Sequence, residues 1–313
     1  MTESTKLDTR AMATFVARGF LRFDGIVPET LNNQFLRDAV NSSPSHKNQS
    51  TSHKASSAVD LMSENGIPEV PAGTNIDNAY PKDSTLGSIV NLPKVRGMIE
   101  SLVGSQSRLD HHFLHMTFPA EYYEATNRPP RSQNTHQDST IDPRTAFDIQ
   151  LFYFPHEVTP DMGGTRFIPG THLRIVSEAA IGRYQNMLGQ QHVVCPAGTI
   201  IAMHHGIWHG GGYNRSDQPR YMFKIRLAPS SRQYRLWDTS DLQVQDHKQR
   251  PIFFKKNKSN PEDVSSILVK PEPWFEQDTG RIEYINRIHL WRYLIGDEAF
   301  DADYWVTRIE NEY

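Results

Sequence analysis

The sequence predicts a mainly β protein, a sandwich or barrel with flanking helices, on three observations. Between Leu109 and Pro229 the chain breaks into short segments: LDHHFLHMTF, FDIQLFYFP, TRFIPG, HVVCP, TIIAMHH and YMFKIRLAP. They are rich in β-branched and aromatic residues and are separated by Gly, Pro, Asp and Asn, the texture of an antiparallel sandwich or barrel. Before this stretch the apolar residues recur at helical spacing instead. After it comes an irregular tail, residues 230–313, with four of the five tryptophans.

The elements follow in order. Met12, Phe15, Val16 and Phe20 predict a helix, Gly25 and Pro28 a break, and Leu31, Phe35, Leu36 and Val40 a second helix, with a strand-like piece between them. Residues 41–57, NSSPSHKNQSTSHKASS, are polar and free of aromatics, which predicts a mobile loop with His46 and His53 in solvent. A helix is expected over Leu86–Val103, disturbed at Leu92-Pro93 because the residue before proline avoids helical geometry. Residues 8–108 thus form a helical part and 109–229 a β core. Residues 230–313 form an extension, with a helix over Arg281–Leu294, too aromatic to stay unpacked. No internal repeat is visible.

Composition excludes several classes of protein. A formal net charge of -3 gives no general field for nucleic acid or an anionic membrane. The single cysteine, Cys195, rules out a disulfide framework and a cysteine-based zinc or iron–sulfur centre. No run reaches the roughly 18 apolar residues of a membrane span, and the first residues lack a signal-peptide core. A cytoplasmic protein acting on a small molecule is the expectation. Oligomeric state is left open.

With 14 histidines, clusters arise by chance. In HHFLHM, a strand would put His111 and His115 on one face and His112 on the other, with no carboxylate of their own. These are read as ordinary strand residues. His136-Gln137-Asp138 differs. In extended chain, i and i+2 project to the same side, so an imidazole and a carboxylate reach one ion. Two His and one carboxylate with an open face is the ligand set of non-haem iron(II) oxygenases. It is the only H-x-[DE] in the chain. A second histidine, His209, stands before Gly210–Gly212, which would let the backbone pass close to a metal without Cβ clashes. Arg220 follows eleven residues later, at the start of YMFKIRLAP. It would supply a permanent, bidentate cation for a carboxylate such as the distal one of 2-oxoglutarate.

In this order and spacing the sequence resembles the phytanoyl-CoA dioxygenase-like branch of the iron(II)/2-oxoglutarate oxygenases, from about residue 10 to 229. FVARGFLRFDGIVPETL looks like that family's opening helix–strand–helix, and HQD like its proximal metal motif. GGTRFIPGTH is similar to its "GAT-x-x-x-PGSH" turn, with Gly in place of Ala. HGGGYNRSDQPR matches its distal His, the Asn five residues on and the Arg at eleven. The resemblance implies a double-stranded β-helix, the cupin-like jelly-roll, with 1–313 as one oxygenase domain. It implies His136, Asp138 and His209 as iron(II) ligands and Arg220 as the partner of the 2-oxoglutarate C5 carboxylate. Thr165 and Gln133 would also hold the co-substrate. The activity implied is an O2-consuming dioxygenase that hydroxylates or desaturates a small organic substrate. Related halogenases carry a small residue where Asp138 stands, so the carboxylate points away from halogenation.

Other residues compete for roles. His204 and His205 are alternatives to His209 but lack its interval to Arg220. His172 would order a turn or line the pocket, and Cys195 and Trp208 would pack. Phe152, Tyr153 and Phe154 read as sheet core, with the alternative that one of them faces the co-substrate. In YMFKIRLAP, Lys224 and Arg226 share a face with Arg220. Buried, they need partners: acidic residues or a solvated rim, or, for Arg226, a polar group of the substrate. Two rival readings are a cupin-like metal- or ligand-binding protein without redox turnover, and a zinc hydrolase on the same fold.

Overall fold

In the strand Ile149–Phe154, Ile149, Leu151 and Tyr153 join one apolar cluster and Phe152 and Phe154 another, and all are buried. A strand covered on both faces reads as a continuous apolar run, and this one forms the middle of the molecule. The computed structural model describes residues 5–39, 66–125, 127, 132–138, 141–174, 176–183, 186–243, 260–275, 280–304 and 306. The polar stretch 41–57 with His46 and His53, and Trp305, lie outside the described residues.

The chain opens with helix α1 (Thr9–Arg18), started by the Asp8 carboxylate accepting from the Ala11 N–H and stopped by Gly19 at φ 79°. Strand β1 (Phe20–Phe23) and helix α2 (Glu29–Ala39) follow, as the apolar spacing predicts. Helices α3 (Ile76–Ala79), α4 (Thr85–Val90) and α5 (Pro93–Val103) come next. The helix expected over 86–103 is two, because Pro93 starts the second where its missing N–H is harmless. Then come β2 (Arg108–Thr117), α6 (Ala120–Ala125), β3 (Ile149–Phe154), a 3-10 turn at Pro160–Met162, β4 (Arg166–Ile168), α7 (Glu178–Ile181), β5 (Gln191–His192), β6 (Thr199–His204), β7 (Trp208–Gly210) and β8 (Arg220–Ala228). Helices α8 (Val264–Leu268) and α9 (Gly280–Ile295) complete the described elements.

Every strand pairing is antiparallel. One sheet has the order β1-β6-β3-β8-β2 and the other β5-β4-β7. Helices cover the outer face of the large sheet. Phe15, Phe35, Ile99 and Leu102 meet Leu151, Tyr153, Phe223 and Ile225 there. The inner face meets the small sheet through Phe152, Phe154, Ile201, Met203 and Met222 against Phe167 and Val193. Each such buried side chain contributes about 1.5–3 kcal/mol relative to exposure. This is a mainly β, jelly-roll architecture with flanking helices.

The aromatic extension packs, as its composition predicts. Trp237 lies 5.6 Å from Trp291 and donates to Thr9 of α1. Trp274 donates to the Pro169 carbonyl at 2.7 Å. Buried Arg287 donates to the carbonyls of Leu268 and Lys270.

Candidate metal centre

The two halves of the predicted metal motif meet as backbone before they meet as side chains. The His136 N–H donates to the His209 carbonyl and the His209 N–H to the His136 carbonyl, each at 2.9 Å. Next to this pair, the Gln133 N–H donates to the Gly211 carbonyl, and the Gly211 N–H returns a bond to Gln133 Oε1 at 3.0 Å. Gly210 and Gly212 are needed here for the close approach of chain segments. A Cβ on Gly210 would sit 2.9 Å from the Gln133 and Asn134 carbonyls, and one on Gly212 2.9 Å from backbone atoms of Gly163 and Gly164.

One ligand atom each from His136, Asp138 and His209 lie within 4.8 Å of one another. His136 Nδ1 hydrogen-bonds the Asn134 carbonyl at 2.9 Å, and His209 Nδ1 the Ile207 carbonyl at 3.0 Å. A carbonyl only accepts, so both Nδ1 atoms carry a proton, and it is the Nε2 atoms that turn to the site. Those Nε2 atoms face Asp138, at 3.5 Å from Oδ1 and 3.6 Å from Oδ2 respectively. Burial lowers the His209 pKa to about 4, so the ring is neutral at neutral pH. Burial alone would raise the Asp138 carboxyl, but His209 and Lys224 override it and hold it well below the usual range. Two imidazoles and a carboxylate are the donors that iron(II) accepts in a facial set. The residues therefore fit the metal.

Beside the triad is a cavity of about 390 Å3, lined by the three residues together with Gln133, Thr165 and Arg220. Arg220 begins β8 opposite Thr117 of β2 and donates to Thr117 Oγ1 at 2.6 Å. It is 3% exposed, and its Nε and Nη1 have no acceptor among the described residues. Burial lowers its pKa to about 10, still far above neutrality. A buried, charged guanidinium with unmet donors is a cradle for a carboxylate. Asn214, five residues after His209, is fully buried and donates to the Thr117 and Gln218 carbonyls, which ties the intervening loop to the start of β8. Phe152 is the aromatic of its strand that lines the cavity, with its ring 5.8 Å from that of His209.

The competing residues separate cleanly. His204 points to the helical side, among Phe15, Phe147 and His172. His172 hydrogen-bonds the Val16 carbonyl and is outside the cavity lining. His205 Nε2 is 3.6 Å from Asp138 Oδ2, as close as His209, but His205 is outside the cavity lining and the group of converging ligand atoms. Cys195 and Trp208 pack in apolar clusters, and burial pushes the Cys195 thiol up to about 11. Arg226 is not among the residues lining the cavity, and it meets Asp148 at 2.7 Å and Asp110 at 3.2 Å, the acidic-partner alternative.

Two cavity residues are not legible as such in the sequence. His115 has the pattern of an ordinary strand residue, yet it lines the cavity with Nε2 unpartnered. Its register opposite Met222, two residues from Arg220, puts it there, and strand pairing cannot be read in one segment alone. Lys224 lies on the face that its alternation predicts, but its partner is Asp138 itself, with Nζ donating to Oδ2 at 2.7 Å.

Fold and site together give a jelly-roll protein in which His136, Asp138 and His209 bring three possible metal donors together beside the buried Arg220. Residues 69–222, which span the proximal motif and the distal histidine, match the family model described as phytanoyl-CoA dioxygenase (PhyH). Over that stretch, just under half of the chain, the sequence is similar to the phytanoyl-CoA dioxygenase family. No curated protein matches the sequence. Among solved structures it is similar to SnoN, a non-haem α-ketoglutarate-dependent epimerase from nogalamycin biosynthesis, at 16% identity and TM-score 0.49 over 71% of this chain and 80% of that one. It is also similar to the carbocyclase SnoK of the same biosynthesis, at 16% identity and TM-score 0.49 over 77% and 92%. HygX from Streptomyces hygroscopicus, with nickel and 2-oxoglutarate bound, matches at 11% identity and TM-score 0.46 over 76% and 94%. Among the described residues no helix is long and apolar enough to cross a membrane.

Proposed function

We propose that this chain is an iron(II)- and 2-oxoglutarate-dependent dioxygenase that hydroxylates or desaturates a small organic substrate, with His136, Asp138 and His209 as the metal ligands. One observation carries the proposal: the three donors and the buried, unmet donors of Arg220 line the same cavity. A cupin-like binding protein or a zinc hydrolase would have no use for that guanidinium. When bound, the metal with 2-oxoglutarate and O2 supplies the oxidising power, as the co-substrate is decarboxylated to succinate and CO2.

The protein's own groups bind and orient. Arg220 holds the C5 carboxylate, with Thr117 fixing the fork. Thr165, 3% exposed in the cavity wall, and Gln133 stand beside it as further co-substrate contacts. Gln133 also ties the proximal segment to Gly211, so it positions the ligand-bearing chain. Phe152 and Met222 keep the cavity floor dry, which strengthens each charged contact. The carboxylate at Asp138 fills the position a halide would need, which selects against halogenation.

Substrate-dependent succinate release, measured in chloride-free buffer, tests the reading. Asp138→Ala is expected to abolish it, and so is rigorous iron removal. Succinate release that persists without iron would refute the assignment. Activity retained with zinc and without 2-oxoglutarate would favour the hydrolase. An anaerobic iron(II) and 2-oxoglutarate mixture is expected to develop a weak visible charge-transfer band, which the binding-protein alternative would lack.

A further inference from the structure

The pairing of β2 with β8 lays out the cavity face of the large sheet in rows. Thr117 stands opposite Arg220, His115 opposite Met222 and Phe113 opposite Lys224. Alternate residues of a strand share a face, and all six of these line the metal cavity. Successive rows are two residues apart, about 7 Å along the strand. The first row holds the Arg220 guanidinium, braced by Thr117. In the third, Lys224 reaches Asp138 of the ligand triad. His115 occupies the row between the guanidinium and the triad.

Among the described residues that line the cavity, two carry a buried side-chain nitrogen or oxygen with no hydrogen-bond partner. They are Arg220, through Nε and Nη1, and His115, through Nε2. Leaving a buried polar atom unmet costs stability, and such an atom in a native structure calls for an explanation. The immediate surroundings of His115 give none. Met222 across the ladder and the Phe113 ring at 6.0 Å offer no strong acceptor. The proposed function commits the Arg220 donors to 2-oxoglutarate. A co-substrate held by the metal at one end and by Arg220 at the other spans the His115 row, so one ligand meets both unpartnered groups.

We propose that His115 is a further co-substrate-binding residue, whose imidazole N–H donates a hydrogen bond to 2-oxoglutarate between Arg220 and the triad. This deepens the proposed function and rests on it. An imidazole always carries at least one N–H, and a carboxylate or keto oxygen only accepts, so the bond also fixes the tautomer of the ring. His115 touches the co-substrate in this arrangement and makes no bond that the unloaded fold needs.

The experiment uses the full chain loaded with Mn(II), as wild type, His115→Leu and His115→Gln. The glutamine amide keeps a side-chain N–H of similar reach. Calorimetric titration with 2-oxoglutarate is expected to show binding weakened about tenfold in His115→Leu and largely recovered in His115→Gln. Mn(II) affinity without 2-oxoglutarate should be the same within about twofold in all three, and the melting temperature of unloaded His115→Leu should equal or exceed that of wild type. Unchanged 2-oxoglutarate affinity in His115→Leu would overturn the proposal, and so would a loss that His115→Gln does not recover. A loss accompanied by weaker Mn(II) binding or a lower melting temperature would also overturn it, as the mark of a structural histidine. Failure of the underlying reading looks different: wild-type protein would then not bind 2-oxoglutarate in a manner that depends on Mn(II) and Arg220, and the role of His115 would fall with it.

Discussion

His136 and His209 exchange both backbone hydrogen bonds, so the two halves of the metal motif, 73 positions apart in the chain, are held as one antiparallel bridge. The ligand set is therefore built by main chain, and side-chain rotamers only finish it. The support continues through Gly212, whose hypothetical Cβ would press on the backbone of Gly163 and Gly164 at 2.9 Å. Backbone cannot give way as a flexible side chain can. Gly212→Val is expected to cost about 1–3 kcal/mol of stability by overpacking. It should also weaken Mn(II) binding, because the bridge is displaced. Thermal unfolding and a Mn(II) titration followed by EPR check the two parts. An unchanged metal affinity would mean that the bridge is not what positions the ligands.

Arg220 couples function to instability. Two of its donors are buried without an acceptor, which costs the protein stability until a carboxylate arrives. Arg220→Met should therefore leave the 2-oxoglutarate-free protein as stable as wild type or more so, while removing the charged hydrogen bonds to the co-substrate. At about 1.5–3 kcal/mol for a hydrogen bond to a charged group, the Kd for 2-oxoglutarate should rise by roughly 10- to 100-fold. Calorimetric titration of 2-oxoglutarate into the Mn(II)-loaded protein measures that rise. The melting temperature of the unloaded protein measures the other half.

The helical side carries a pH response separate from the centre. His172 and His204 pack with rings 4.9 Å apart, and both are fully buried. Burial lowers the His204 pKa to about 3 and holds His172 well below the ordinary value. Unfolded, each would titrate near 6.5. Above that pH both states are neutral and the pair adds no pH dependence. Below it the unfolded chain takes up protons that the folded one refuses, so stability falls as pH falls from about 6.5 toward 3. Each ring adds a slope of up to about 1.4 kcal/mol per pH unit in that window. His204→Phe should remove one ring's share. Urea unfolding of wild type and variant between pH 6.5 and 4.5 is the measurement, and parallel curves would contradict it.

Much of the fold and site is legible in the sequence because it rests on local spacing. The i, i+2 step of His136 and Asp138, the eleven-residue step from His209 to Arg220 and the alternation in β8 are properties of a single segment. The two-sided apolar run of β3 and the Pro93 break between α4 and α5 are local as well. The remainder depends on which strand lies beside which. His115 enters the cavity only because β2 pairs with β8 in a register that sets His115 opposite Met222 and Thr117 opposite Arg220. The partners of Arg226 are Asp148 and Asp110, on segments far away in the chain. Period two places Lys224 on its face, but its ion pair with Asp138 needs the segment 132–138 laid across the sheet. The purpose of Gly210 and Gly212 is hidden for the same reason, since the backbone they admit belongs to distant residues.

The Lys224–Asp138 pair also makes a prediction for a chain without the carboxylate. Asp138→Ala leaves the ammonium in a cavity with no acceptor in place of the Oδ2 it now meets at 2.7 Å. Losing one of three metal donors should lower Mn(II) affinity by more than the roughly 10- to 100-fold that loss of an outer-shell partner typically costs. The space left is small and faced by the Lys224 ammonium and the His136, His205 and His209 rings, which suits a halide. Chloride should therefore restore part of the metal affinity of Asp138→Ala, while gluconate at the same ionic strength should not. The double variant Asp138→Ala, Lys224→Met should lose the chloride effect, because the charge that draws the anion is gone. Mn(II) titrations of both variants in chloride and in gluconate decide it. Equal affinities in the two salts for Asp138→Ala would show that Lys224 does not face the vacated position.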